Sequence, residues 1–179
     1  MSRIIVLVGS PRKNGNTDIL AKSFVEGAKI HNEVEIISVV DYKINPCKGC
    51  NACRKENNNI CVQSDDMNLV YDKLKNADIL VIASPVYFYG ISAQLKSLID
   101  RLHNPIRNDF AISKLGLILV GADVLDELFD SIIVQYDLIR KYFGLEDIGR
   151  VLVRGAEAKG DVYKTDGVRE AFELGRRLK

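Results

Sequence analysis

The sequence predicts a doubly wound α/β domain, in which helices cover both faces of a parallel sheet. Short, continuous runs of β-branched and other apolar residues recur along the chain, and such runs are typical of strands buried on both faces. Between them, apolar residues repeat at helical spacing. Strands that alternate with helices form a parallel sheet whose crossover connections are right-handed. The five predicted strands are Ile4–Val8, Val34–Val40, Ile79–Ala83, Leu115–Val120 and Ile148–Val153.

The helices are predicted from apolar periodicity between the strands. After the third strand, apolar residues fall at i, i+3, i+4 and i+7, which is one face of an amphipathic helix. A further helix begins after Asp65 and Asp66, and we interpret these carboxylates as capping residues rather than as an acid/base pair or a metal site. The apolar residues that mark the other helices are, in chain order, Leu20, Phe24, Val25 and Ala28; Leu95, Leu98, Ile99 and Leu102; Leu125, Leu128, Phe129, Ile132, Ile133 and Tyr136; and Val168, Ala171, Phe172 and Leu178.

Length, charge and hydropathy restrict the class of protein. A chain of 179 residues is long enough to bury a substantial core as one domain, residues 1–179. Its 25 Lys and Arg residues nearly balance its 24 Asp and Glu residues, so the charge gives no reason to expect nucleic acid or an anionic membrane as partner. No apolar run approaches the ~18 residues of a membrane span, and the N-terminal run is short for a signal peptide. We therefore expect a cytoplasmic protein.

The loop after the first strand has the composition of an anion site. Residues 9–17 read GSPRKNGNT and lead into a helix. Free N–H groups at a helix N-terminus and the helix dipole favour a phosphate, and the spacing matches neither the GxxxxGK[ST] loop nor GxGxxG. The alternative is a polar turn in which Asn16 or Thr17 only caps the helix. The position favours the phosphate, because ligands of such sheets bind beyond the strand ends.

The loop after the third strand contains three consecutive aromatic residues. Residues 84–92 read SPVYFYGIS, and Pro85 and Gly90 are expected to fix a turn around the aromatics. Aromatic faces stack on flat rings, and backbone amides in such a loop can meet the heteroatoms of a planar ligand. The alternative is an aromatic plug that packs on the edge of the sheet.

These two loops together, in this order and spacing, resemble those of the NAD(P)H-dependent FMN reductase superfamily. The resemblance extends in motif detail from Ile4 to Arg101, and it implies a flavodoxin-like three-layer α/β/α fold with strand order 2-1-3-4-5 and bound FMN. NAD(P)H is the implied co-substrate, and no catalytic residue is expected because the flavin carries the redox chemistry. The resemblance implies a phosphate held by Ser10, Arg12, Asn16 and Thr17, and a flavin ring that lies against Pro85, Val86, Tyr87, Phe88, Tyr89 and Gly90, with Gly121 approaching from the other side.

All four cysteines lie in one loop after the second predicted strand, within residues 45–64. Cytosolic thiols stay reduced, so a disulfide framework is the least expected use of them. Thiolates at i, i+3 and i+6 can converge on the irons of a cluster, whereas four thiolates also suit tetrahedral zinc, and free or redox-active thiols are a third alternative. The spacing is C-x2-C-x2-C-x7-C, formed by Cys47, Cys50, Cys53 and Cys61.

The cysteine spacing resembles that of the iron–sulfur flavoproteins, a branch of the same superfamily. That resemblance implies a [4Fe–4S] cluster on these cysteines near FMN, and electron exchange with a ferredoxin-like carrier, a quinone or NAD(P)H. A cluster-free NAD(P)H-dependent FMN or quinone reductase is the first alternative, and a zinc-stabilised, non-catalytic binding module is the second. Such relatives imply a homodimer or homotetramer. The sequence has no motif that distinguishes NADH from NADPH.

Overall fold

The computed structural model describes residues 1–55 and 59–179, so the predicted cysteine loop at residues 45–64 is described except for residues 56–58. The described residues form strands and α-helices joined by turns and short 3₁₀ helices. The strands are β1 (Arg3–Val8), β2 (Glu33–Ser38), β3 (Ile79–Tyr87), β4 (Gly90–Ile91), β5 (Lys114–Val120) and β6 (Glu146–Val153). The helices are α1 (Asn16–Ala28), α2 (Ala52–Lys55), α3 (Met67–Lys75), α4 (Ala93–Arg101), α5 (Asp130–Phe143) and α6 (Gly167–Arg176).

The sheet has the predicted topology. Its order is β2-β1-β3-β5-β6, with every neighbouring pair parallel, and β4 folds back antiparallel onto the end of β3. Counting the five parallel strands alone gives the predicted order 2-1-3-4-5, so the doubly wound fold is confirmed. Four strands begin one or two residues earlier than predicted, and two strands end at different residues. The second strand ends at Ser38 because residues 39–41 turn into a 3₁₀ helix, and the third continues past Ala83 because Ser84 and Pro85 still pair with β5.

Each face of the sheet has its own core. On β1, Ile5 and Leu7 face the side covered by α3, α4 and α5, whereas Ile4, Val6 and Val8 face α1 and α6. Burying each such side chain is worth about 1.5–3 kcal/mol, which explains why these strands are continuously apolar.

Helices α1 and α6 pack closely enough to require glycine at the contact. A Cβ atom at Gly27 would lie 2.1 Å from the carbonyl oxygen of Phe172, and one at Gly175 would lie 2.2 Å from that of Phe24. These neighbours are backbone atoms, which cannot move aside cheaply. The contact therefore fixes α1, whose first turn includes the end of the polar loop at residues 9–17, against the last helix of the fold.

The order of the strands places a switch point between β1 and β3. After β1 the chain moves outward to β2, and it then returns to the other side of β1 to form β3. Connections at such a point leave a crevice beyond the carboxyl ends of the two strands, where open α/β sheets bind their ligands.

No helix among residues 1–55 and 59–179 is long and apolar enough to cross a membrane.

Candidate functional site

The loop after β1 folds into a compact turn around the Ser10 hydroxyl. The Ser10 Oγ accepts a hydrogen bond from the Arg12 N–H and donates one to the Arg12 carbonyl oxygen, each at 3.1 Å. The Gly15 N–H donates to the same carbonyl at 3.2 Å. Ser10 and Thr17 are both buried, whereas Arg12 is exposed. At the start of α1, the loop thus has two buried hydroxyl residues, Ser10 and Thr17, and one exposed basic residue, Arg12.

The first turn of α1 can accept an anion. Its N-cap is Gly15, which has no side chain to satisfy the first N–H groups of the helix. The N–H of Asn14 is already bonded to the Asp18 carboxylate at 2.7 Å, and Lys13 is paired with Asp41. A Cβ at Gly15 would lie 3.2 Å from the Arg12 carbonyl oxygen, so this approach to the backbone suits glycine. Free amides, the helix dipole and the two hydroxyls fit a phosphate group.

Asn16 has a different set of partners from the one the sequence implies. Its side-chain amide donates to the carbonyl oxygens of Ala156 at 3.1 Å and Ala158 at 2.9 Å, and its oxygen accepts from the Gly160 N–H at 2.8 Å. These bonds attach the loop after β6 to the start of α1. Contact between the Asn16 side chain and a phosphate therefore stays a prediction, and its observed role is to join two loops at the same edge of the sheet.

The aromatic loop is a β-hairpin with a strained tip. Tyr87 and Gly90 pair across β3 and β4, and Phe88 and Tyr89 form the turn with φ angles of 48° and 62°. Both φ angles are positive, as in a type I′ turn, which normally takes Asn and Gly. The expectation that Pro85 fixes this turn is wrong, because Pro85 lies within β3, whereas Gly90 flanks the turn and pairs with Tyr87 to close it.

The hairpin presents its aromatic side chains to solvent. Phe88 is 100% exposed, Tyr87 is 40% exposed and Tyr89 is 48% exposed. A non-glycine residue in the left-handed region costs about 1–2 kcal/mol, and strain of this kind clusters at functional sites. The packed aromatic plug that the sequence left open as an alternative does not account for Phe88, whose ring is fully exposed and meets only the edge of its neighbour Tyr89, with ring centroids 6.2 Å apart among the described residues. An exposed aromatic tip fits a flat ligand.

Hydrogen bonds join the polar loop to the aromatic hairpin. The Gly9 N–H donates to the Ala83 carbonyl oxygen at 2.8 Å, and the Ser92 hydroxyl donates to the Gly9 carbonyl oxygen at 2.6 Å. The Ser92 N–H in turn donates to the Ser84 hydroxyl at 3.1 Å. A Cβ at Gly9 would lie 2.7 Å from the Leu95 side chain, so glycine is needed for this close approach. The two loops consequently form one surface at the switch point.

Gly121 lies beside the hairpin, and its predicted contact with a flavin stays a prediction. It is buried, and a Cβ at this position would lie 2.7 Å from the Leu128 side chain and 3.5 Å from the Cβ of Val86. Its carbonyl oxygen accepts from the Ala156 N–H at 3.0 Å. The Ser131 hydroxyl at the start of α5 donates to the carbonyl oxygen of Tyr89. The loop after β5 therefore supports the aromatic hairpin from the side opposite β1.

The cysteine loop leaves β2 at the same edge of the sheet. Cys47 and Cys50 are exposed, Cys53 and Cys61 are half-buried, and all four thiols are free. A four-thiol set matches the soft ligands that iron–sulfur clusters and zinc require. Among residues 1–55 and 59–179, no three His, Cys, Asp or Glu side chains are grouped so that they could hold one metal ion. The four thiols are thus chemically suited to a metal centre, but the described residues do not bring three such ligands together.

The base of the cysteine loop contains a buried ion pair that sequence reasoning missed. Arg101 donates from its two terminal guanidinium nitrogens, Nη1 and Nη2, to Asp65 at 2.7 and 3.2 Å, and the two side chains are only 2% and 1% exposed. Asp65 also accepts from the Met67 N–H at 3.2 Å, but the N-cap of α3 is Asp66, whose side chain accepts from the Lys43 N–H and makes no capping bond. The capping interpretation is therefore wrong for Asp66. Residues 36 positions apart carry no sequence signal of pairing beyond their opposite charge.

The ion pair keeps both groups charged. Burial opposes ionisation of Asp65, but the hydrogen bonds from Arg101 and from the Asn45 and Met67 N–H groups outweigh it and lower the pKa of this carboxyl. Burial likewise opposes the charge on Arg101, and Asp65 outweighs it, so the pKa of Arg101 is raised.

A separate groove of about 1040 Å³ lies between α4, α5 and the segment that joins α4 to β5. Its lining is mainly apolar and includes Leu138, Tyr142 and Phe110. It reaches the cysteine loop at Cys47 and Gly49, and none of the residues predicted to contact FMN lines it. The groove is therefore distinct from the surface formed by the polar loop and the aromatic hairpin.

Known proteins with similar sequences bind flavin, according to their names. Residues 2–126 match the family model described as NADPH-dependent FMN reductase. An iron–sulfur flavoprotein of Methanocaldococcus jannaschii is 42% identical over 67% of this chain and 62% of its own length. One of Archaeoglobus fulgidus is 30% identical over 98% of this chain and 78% of its own length. The chain covers about half to three fifths of several other curated relatives, 48% and 61% in two cases.

The fold has close structural neighbours at low sequence identity. The solved structure of an NAD(P)H:quinone oxidoreductase from Methanothermobacter marburgensis superposes with a TM-score of 0.78. The alignment covers 99% of both chains at 13% identity, so it supports the fold alone.

Proposed function

The chain belongs to the NADPH-dependent FMN reductase family, and from that membership we propose that it is a flavin-dependent oxidoreductase of the iron–sulfur flavoprotein type. It would bind FMN and pass electrons between a soluble donor and an acceptor. The observation that carries the proposal is the joining of the polar loop and the aromatic hairpin at the switch point through Gly9, Ser84 and Ser92. One loop fits a phosphate, and the other fits a flat ring.

Each part of this surface has a task in holding FMN. Ser10, Thr17 and the amides of the first turn of α1 would bind the phosphate, with Arg12 adding positive charge. Asn16 would act by holding residues 156–160 against the loop, in addition to any contact with the phosphate. When bound, the flavin supplies the redox chemistry by taking electrons singly or in pairs. The chain's own residues bind and orient it, and we assign no side chain as acid or base.

The flavin ring would lie against the hairpin. Pro85, Val86, Tyr87, Phe88, Tyr89 and Gly90 form its wall, and Gly121 borders it from the neighbouring loop. Exposed aromatic faces suit stacking, and the strained turn holds Phe88 and Tyr89 outward before the ligand arrives. A pre-formed tip of this kind lowers the conformational cost of binding.

Cys47, Cys50, Cys53 and Cys61 would hold a [4Fe–4S] cluster. Three features support this part of the proposal: all four thiols are free, they lie in one loop, and three of them follow the C-x2-C-x2-C spacing. The names of the relatives at 42% and 30% identity agree with it. A cluster would supply one-electron transfer, which suits a ferredoxin-like carrier, whereas NAD(P)H gives up a hydride and would react with the flavin. A quinone could take electrons from either group.

A cluster-free NADPH-dependent FMN reductase is the second candidate, because that is the description of the matched family. In that case the thiols would carry no metal, and NADPH would reduce the flavin directly. For either candidate we expect a homodimer or homotetramer, which light scattering on the purified protein would test.

The visible spectrum of protein purified without oxygen separates these candidates. The first predicts flavin bands above a broad brown absorption, with four iron and four sulfide per chain, as a [4Fe–4S] cluster requires. Flavin without iron or sulfide supports the second, and colourless protein with bound zinc contradicts both. Cys53→Ser should remove iron and leave FMN, whereas Ser10→Ala should weaken FMN and leave iron. If Cys53→Ser loses flavin and iron together through unfolding, Cys47→Ser at an exposed position repeats the test.

A further inference from the structure

Helix α4 connects the FMN loops to the base of the cysteine loop. Its N-cap Ser92 donates to Gly9 and accepts from the Leu95 N–H at 3.2 Å, and its last residue, Arg101, pairs with Asp65. Its nine residues span about 14 Å. The Tyr71 hydroxyl on α3 donates to the Arg101 carbonyl oxygen at 2.7 Å, so this end of α4 is held from two sides.

At the base of the cysteine loop, hydrogen bonds join residues 43–45, where the chain enters the loop, to Asp65 and Asp66, where it leaves. The Asn45 N–H donates to Asp65 at 3.0 Å, and the Lys43 N–H donates to Asp66 at 2.6 Å. The Asp66 N–H returns a bond to the Lys43 carbonyl oxygen at 3.0 Å. Arg101 reaches across both, because it also donates to the Asn45 carbonyl oxygen at 3.0 Å. One guanidinium therefore bonds both ends of the segment that carries every cysteine.

We propose that Arg101 is a positioning residue that, together with Asp65, closes the base of the cysteine loop and fixes it to α4 and thereby to the FMN loops. The proposal rests on the proposed function in one respect, the metal cluster that the loop would carry. Closure of the base does not depend on that cluster. In the described part of the loop, Arg54 also bonds the His103 ring at 2.6 Å, beyond the end of α4. The Asp65–Arg101 pair therefore sets the position of the base, where both ends of the loop meet α4.

If Arg101 and Asp65 only stabilised the fold, replacing both would have a different effect from the one that loop closure predicts. Apolar residues that replace both members of a buried ion pair often keep or improve stability. The bonds from Arg101 to the Asn45 carbonyl oxygen and from the Asn45 N–H to Asp65 would nevertheless be lost in such a variant. Stability and loop closure can therefore be separated by experiment.

The separating variant is the double substitution Arg101→Met/Asp65→Leu. We expect it to unfold at a denaturant concentration close to that of the unchanged protein, whereas Arg101→Met alone should unfold earlier because it leaves Asp65 buried and unpaired. Hydrogen exchange then reports closure at the amides of Lys43 and Asp66, whose own partners the double variant retains. Their exchange should be faster by about tenfold or more. Lys96→Met, which removes an exposed ion pair from the same helix, is the matched control and should leave both amides unchanged.

Unchanged exchange at Lys43 and Asp66 in a stable double variant would overturn the proposal. If the double variant is itself unstable, Arg101→Lys provides the test, since Lys keeps the charge but lacks the fork that bonds Asp65 and Asn45 together. Iron content is the second readout, because the open loop should lose iron to a chelator several times faster than the closed loop. If the protein without substitutions binds FMN but no iron, the proposed cluster is refuted. The proposed closure of the base of the cysteine loop is then decided by the hydrogen-exchange measurement alone.

Discussion

The strained tip of the aromatic hairpin predicts that stability and FMN affinity change in opposite directions when Phe88 is replaced. Phe88 has a φ of 48° and is 100% exposed. Phe88→Gly removes steric strain worth about 1–2 kcal/mol and adds a backbone entropy cost of about 0.5–1 kcal/mol. It loses no buried area. The free energy of unfolding should therefore rise by about 0.5–1 kcal/mol, measured by urea denaturation of protein without flavin.

The same substitution should weaken FMN binding, because it removes an aromatic face from the proposed ring site. Stacking of aromatic rings is worth about 0.5–1.5 kcal/mol, which is about a twofold to tenfold rise in Kd. Quenching of flavin fluorescence during a titration measures that constant. Phe88→Ala is the matched control, since it removes the ring and keeps a side chain at positive φ. It should lose the same affinity without gaining stability.

Two results would refute this reasoning separately. Equal stability of the Gly and Ala variants at position 88 would show that the tip is not strained. Unchanged FMN affinity in both variants would show that Phe88 does not contact the flavin.

Three further predictions concern the parts that support the site. Asn16→Ala should lower the free energy of unfolding by about 1–3 kcal/mol in urea denaturation, because it removes the bonds to residues 156–160; a loss below 0.5 kcal/mol, the lower limit of about one hydrogen bond, would contradict this role. Gly27→Ala should cost about 3 kcal/mol and lower the Tm, because its Cβ would lie 2.1 Å from the Phe172 carbonyl oxygen; an unchanged Tm would mean that α1 and α6 can separate freely. Burial raises the pKa of Tyr71 from 10.0 to about 12, so its contribution to stability is complete below pH 10 and falls by about 3 kcal/mol as the pH rises to 12. Tyr71→Phe should flatten that alkaline decline, and an equally steep decline in the variant would exclude Tyr71 as its source.

The sequence was sufficient to predict the sheet, because continuous burial of a strand on both faces leaves a local signature. Ile4–Val8 and Leu115–Val120 lie within observed strands for that reason. The polar loop was identified because ligand loops follow strand ends in this fold class, and Gly121 was implied by the resemblance; contact of either with FMN stays a prediction. The loop after β3 was identified by its three consecutive aromatic residues, but Pro85, which was expected to help fix their turn, lies within β3, and the positive φ angles fall on Phe88 and Tyr89.

Contacts between distant segments could not be predicted in this way. The Asp65–Arg101 pair joins the end of the cysteine loop to the end of α4, and each residue alone reads as an ordinary charged residue near a helix terminus. Asn16 is a residue type common in phosphate loops, yet its side chain bonds residues 156–160. These residues come near Asn16 only after the chain has folded. The grouping of the four thiols is likewise a property of three-dimensional closure, which spacing in sequence does not fix.

The central claim is that the loop at residues 9–17 and the start of α1 hold the phosphate of FMN. Titration of flavin-free protein with FMN and with riboflavin, which lacks the phosphate, tests this claim most directly. We predict one FMN per chain and a Kd for riboflavin higher by about tenfold or more, because charge-assisted bonds to a phosphate exceed about 1.5 kcal/mol. Ser10→Ala should narrow that ratio. Equal affinity for the two flavins, or no binding of either, would contradict the claim.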